Sequence, residues 1–98
     1  DKLVAFDYYM VGIIHGYYRI NQKAKAREIS KILVHNSLQE LVYYSEFGKR
    51  QKASIEIYRQ RAMKTIEEVY ILANQYRHKE YLSEIENVYQ DAIKAFGK

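Results

Sequence analysis

The sequence predicts an all-α fold, an antiparallel up-down-up-down four-helix bundle, on three observations. Apolar residues recur every three or four positions through nearly all of the 98 residues, which is helix spacing and not strand alternation. Proline is absent and glycine occurs four times, too few turn formers for a chain of many short strands. Polar breaks near residues 21, 48 and 76 leave four segments with short connections, and short connections make successive helices antiparallel neighbours. A single domain, 1–98, accommodates all four.

In the first segment Leu3, Phe6, Met10, Ile13, Tyr17 and Ile20 form an apolar stripe, widened by Val4, Ile14 and Tyr18. Asn21 is expected to cap the second helix, its side-chain oxygen accepting an unpaired N–H of the first turn. That helix is expected to reach about Glu46, with Ile29, Leu33, Val34, Leu38, Leu41, Val42 and Ser45 on one face. Gly48 would then end it in the left-handed conformation. The third helix has the cleanest pattern: Ile55, Tyr58, Ala62, Ile66, Val69, Ala73 and Tyr76 alternate threes and fours. Residues Asn74 to Lys79 form a polar break without glycine or proline. After it Ser83 and Glu86 read as a capping box for a fourth helix carrying Leu82, Ile85, Tyr89, Ala92 and Phe96. A continuous helix from 53 to 96 is the rival, but its long apolar stripe would lack a partner within the chain.

Composition excludes several kinds of chemistry. With 48% apolar and 29% charged residues the chain folds instead of staying disordered. The lack of cysteine removes disulfides, thiolate metal sites and thiol nucleophiles. His15, His35 and His78 stand in no Glu-x-x-His or His-x-x-x-His spacing, so no metal site and no cofactor are expected. Ser30, Ser37, Ser45, Ser54 and Ser83 lack a nucleophile elbow, and no glycine loop cradles phosphate. The carboxylates of Glu67-Glu68 and Glu84-x-Glu86 diverge on a helix. No enzyme is expected. The apolar run from Leu3 to Ile20 is interrupted by Asp7, His15 and two glycines, so it is no membrane span, and no signal cleavage site follows. The chain reads as soluble, residing in a virion or the cytoplasm.

Two features ask for a role. Gly12 and Gly16 share one face of the first helix, where glycine costs about 1 kcal/mol relative to alanine. They are expected to let another helix approach closely, inside the bundle or from a second subunit. Eleven tyrosines, with the doublets Tyr8-Tyr9, Tyr17-Tyr18 and Tyr43-Tyr44, are expected to divide between core and rim, and Tyr58, Tyr70, Tyr76 and Tyr89 fit core stripes.

The net charge of +4 is unevenly spread. One cluster holds Arg19, Lys23, Lys25, Arg27 and Lys31, and a second holds Lys49, Arg50, Lys52, Arg59, Arg61 and Lys64. Arg77-His78-Lys79 makes a third. Arg19 and Arg77 suit helix C-termini, whereas Lys23, Lys25, Lys49, Arg50 and Lys52 open helices, where the dipole disfavours cations and an anion is favoured. In an up-down bundle Arg19, Lys23, Lys25, Arg77 and Lys79 are expected to converge at one end, and the second cluster to begin at the other and extend along the third helix. Helices of about 25 residues span roughly 38 Å, so basic charge is expected along the bundle's length. These residues are the candidate contacts to nucleic acid, through the phosphate backbone and without sequence preference. About six such contacts imply a log–log salt slope near −5.

With its tyrosine doublets and two basic helix openings, the chain resembles the four-helix coat proteins of filamentous archaeal viruses. The resemblance implies a structural subunit that wraps double-stranded DNA, with a basic N-terminal arm ahead of the bundle. This chain begins Asp1-Lys2-Leu3 without one: either an arm has been removed, or the resemblance is accidental. The alternative is a protein-interaction bundle, such as a secretion chaperone, an immunity protein or an adaptor, in which the tyrosine rims and the Gly12/Gly16 face bind a partner helix.

Overall fold

The computed structural model describes residues 4–47 and 52–96. They form four α-helices: α1 (Ala5–Arg19), α2 (Lys23–Phe47), α3 (Lys52–Gln75) and α4 (Lys79–Phe96). Each helix packs on the next, and α1 also touches α3. Contacts between Asp7, Glu40 and Arg61 join the start of α1, the end of α2 and the start of α3. Tyr18 meets His78 where α1 ends and α4 begins. The helices therefore run up, down, up, down, in a body of 45 × 26 × 20 Å.

The core follows the α2, α3 and α4 stripes closely. Leu33, Val34 and Leu41 of α2 are buried, as are Ala62, Ile66, Val69 and Ala73 of α3 and Ile85 and Ala92 of α4. Small residues extend the α2 line: Ala26, Ser30 and Ser37 are buried too, which lets a neighbouring backbone come close. Ser30 stays satisfied by donating its hydroxyl to the Ala26 carbonyl at 2.6 Å. Val42 and Tyr70, expected inside, are instead exposed at the edges of their stripes, and Tyr81 takes a buried place in α4.

The inward face of α1 differs from the expected one. Asp7, Ile14 and Tyr18 are buried, while Phe6 and Ile20 of the expected stripe are exposed. The cause is Asp7. Its carboxylate accepts from the Arg61 guanidinium at 2.9 Å and from the Thr65 hydroxyl at 3.3 Å, and this pairing turns α1 until position 7 faces inward. A stripe built on apolar residues alone treats position 7 as solvent-facing and places the core about one residue out of phase.

Both helix connections at the α1/α2 end also depart from expectation, and in the same way. Asn21 does not cap α2; it has φ 61° and follows Ile20, the C-cap of α1. The Gln22 N–H donates to the Tyr17 carbonyl and the Asn21 N–H to the Tyr18 carbonyl, closing a Schellman motif. Asparagine is the most tolerant non-glycine residue in that conformation. The second connection repeats it: Arg77 has φ 54°, His78 N–H donates to Ala73 and Arg77 N–H to Asn74. The break therefore shrinks to three residues, the continuous 53–96 helix is ruled out, and α4 begins four residues before Ser83. Ser83 is then an interior helical position and cannot cap. The expected stop at Gly48 lies outside the described residues.

Candidate nucleic-acid interface

Among the described residues the structure separates the basic side chains of the predicted clusters into two populations, with Lys94 exposed and without an ion pair in the last turn of α4. Most of those on the bundle's sides have an acidic partner. Arg27 and Lys31 of α2 both reach Glu84 of α4, at 2.8 and 3.3 Å, so one carboxylate joins the two helices. Lys25 meets Glu28, Arg59 meets Glu56, and Lys64 reaches both Glu67 and Glu68 one turn further on.

Arg61 is the extreme case. It donates to the buried Asp7 and, from its other nitrogen, to Glu40 at 2.9 Å, bridging α1, α3 and α2. These carboxylates, Asp7 first, hold the guanidinium firmly protonated against the opposing effect of burial. The expectation of cationic charge along the bundle's length is accordingly corrected: carboxylates from the same or a facing helix locally neutralise the basic side chains there. Lys49 and Arg50 lie outside the described residues, as does the side chain of Lys52.

Arg19, Lys23, Arg77 and Lys79 form the second population. All four are exposed, and among the described residues none has an ion-pair partner. The topology gathers them at one pole, where α1 and α3 end and α2 and α4 begin. Arg19 ends α1, Lys23 opens α2, Arg77 occupies the left-handed turn position, and Lys79 opens α4. The first turn of α2 contains no acid, whereas that of α4 contains Glu80. The amides of two helix N-termini therefore face the same pole as these four side chains, an arrangement suited to anions.

An aromatic layer lies directly beneath. Tyr18 and Tyr76 are stacked with centroids 5.0 Å apart and planes 3° from parallel. His15 Nε2 is hydrogen-bonded to the Tyr76 hydroxyl at 2.8 Å, and His78 Nδ1 to the Tyr18 hydroxyl at 3.0 Å. Tyr81 packs against His78 on one side and under the Arg27 guanidinium, 5.8 Å away, on another. Burial pushes the Tyr18 hydroxyl up to about 12 and raises Tyr81 as well. His78 moves the other way: burial first, then the positive fields of Lys23 and Arg27, lower its pKa against the opposing Glu80. A neutral, hydrogen-bonded ring thus fixes the base of the α3–α4 turn that presents Arg77 and Lys79. Sequence reading missed this layer because its members come from positions 15, 18, 76, 78 and 81; the one available signal was a histidine just past a helix end.

Gly12 and Gly16 lie on the outside of α1. A Cβ built on either would meet nothing within 4 Å, so packing inside the bundle is excluded as their reason among the described residues. No family model matches the chain, nor does any curated protein or solved structure. Among the described residues no helix is long and apolar enough to cross a membrane.

Proposed function

We propose that this chain is a non-enzymatic helical bundle that binds the phosphate backbone of nucleic acid, with duplex DNA as the polymer, through one basic pole. The observation that carries this reading is the convergence of Arg19, Lys23, Arg77 and Lys79, without acidic partners among the described residues, at the pole where α2 and α4 begin. A cation already held by a carboxylate must exchange that partner for phosphate, whereas these four need only release counterions. Among the described residues no groove-reading element accompanies them, so the contact is made to the backbone and tolerates any sequence. The coat-protein resemblance makes a DNA-coating subunit the biological setting of this proposal.

Titrating fluorescent duplexes of unrelated sequence with the protein at low salt tests the reading. The expected result is binding of comparable affinity to each duplex, weakened uniformly when Lys23 and Lys79 become alanine. Absence of binding at low ionic strength, or indifference to those substitutions, refutes it.

A further inference from the structure

The described residues leave one helix face uncovered. On α1, Phe6 is 57% exposed, Tyr8 73%, Tyr9 68% and Ile20 67%, although three of these are rings and none carries charge. Phe6, Tyr9, Ile13, Gly16 and Ile20 step by three, four, three and four, which is the seam pattern of paired helices. Beside that seam Ala5 and Gly12 line a shallow depression with Tyr8, Tyr9 and Ile13 at its borders. Gly12 and Gly16 have open space above them, and each weakens the helix relative to alanine without serving any contact in this bundle.

We infer that this face pairs with the same face of a second copy of the chain, the two α1 helices running antiparallel about a two-fold axis near Ile13. Three observations select that occupant. The bulky rings lie in the N-terminal half of α1 and Gly16 in its C-terminal half, so an antiparallel copy sets the Tyr9 ring over the partner's Gly16 and the Phe6 ring over the partner's Ile20, and receives the reciprocal contacts. The seam is uncharged in a chain of net charge +4, so two copies meet there without juxtaposing like charges. The area also suffices. At roughly 200 Å² per ring, the exposed parts of Phe6, Tyr8 and Tyr9 supply about 400 Å². Ile13, Ile20 and the glycine backbone bring the pair to about 1,200 Å² in total, the lower edge of a stable specific interface. Antiparallel pairing places one basic pole at each end of the dimer, so the inference adds bivalency to the phosphate-binding reading without depending on it.

Sedimentation equilibrium of the full chain tests the inference, with Tyr9→Lys and Gly16→Leu as variants whose exposed positions leave the bundle intact by circular dichroism. The wild type is expected to be a dimer at tens of micromolar, and each variant to dissociate at least tenfold more readily, a change of about 1.4 kcal/mol. Gly16→Leu is decisive, since it strengthens the isolated helix while placing a side chain in the open space that the partner's Tyr9 would occupy. Because the chain lacks cysteine, Ile13→Cys should cross-link to itself on oxidation and Ile20→Cys should not. A wild type that stays monomeric near 1 mM, a dimer that survives both substitutions, or preferential Ile20→Cys cross-linking overturns the proposal. So does assembly beyond a dimer, or pairing of α1 only with a different protein. Duplex binding by a strictly monomeric chain would leave the basic pole standing and remove this inference alone.

Discussion

Arg61 and Arg77 are the same kind of residue in the same kind of helix neighbourhood, yet the bundle gives them opposite environments. Arg61 bridges Asp7 and Glu40 across three helices. Arg77 stands at a left-handed turn with its side chain in solvent and no carboxylate in reach among the described residues. The difference is set by what the fold brings near: Asp7 is 54 residues from Arg61 in sequence and in contact with it in space. A cation's availability for a polyanion is thus decided by tertiary pairing, and a basic cluster read along the chain overstates it.

The sharpest way to break the comparison is at Asp7. Asp7→Ala would leave Arg61 partly buried beside Glu40 alone, and breaking such a pair from one side costs about 3 kcal/mol. Chemical denaturation should show that loss, while Asp7→Leu combined with Arg61→Met should recover most of it. If Asp7→Ala leaves the denaturation midpoint unchanged, the network is not what turns α1 inward.

Arg77→Gly probes the opposite case. Glycine relieves a left-handed conformation that costs a residue with a Cβ roughly 1–2 kcal/mol, so the variant is expected to gain about 1 kcal/mol of stability. It should also weaken duplex binding and make the salt slope about 1 unit shallower. Gained stability with unchanged binding would remove Arg77 from the interface.

The smallest effect is expected from pH. His78 binds its proton less readily in the folded chain than in the unfolded one. The stability this confers is fully present above the unfolded value of about 6.5, and it is lost as pH falls through the lower folded value. Urea midpoints of the wild type should therefore decline through that acid window, and His78→Gln should flatten the decline. An unchanged slope in the variant would assign the decline to other groups.

Much of this architecture was legible in the sequence, because period and spacing are local properties. The α3 stripe from Ile55 to Tyr76 and the core positions Leu33, Leu41, Ile85 and Ala92 follow from apolar steps of three and four. What escaped was set by partners far along the chain. Asp7 rotates α1 through Arg61, and polarity alone assigns it to solvent. Asn21 suits a helix start and a left-handed helix end equally by type, and only the bonds to Tyr17 and Tyr18 decide between them. The pole was legible from the up-down topology, which brings Arg19, Lys23, Arg77 and Lys79 to one end; which basic residues already hold a carboxylate was not. Glu84, which engages both Arg27 and Lys31, lies more than 50 positions away from either, so no local reading of the first cluster could discount them.

The salt dependence of duplex affinity, compared between pole and flank variants, tests the central claim most directly. With Arg19, Lys23, Arg77 and Lys79 as the contacts, the wild-type log–log slope should be about −3.5, shallower than the value near −5 expected when the paired cations also contribute. Replacing Lys23 and Lys79 by alanine should make it shallower by about 2 units, and replacing Lys31 and Lys64 should leave it nearly unchanged. A flat wild-type response, or an equal loss from the flank variant, would contradict the account.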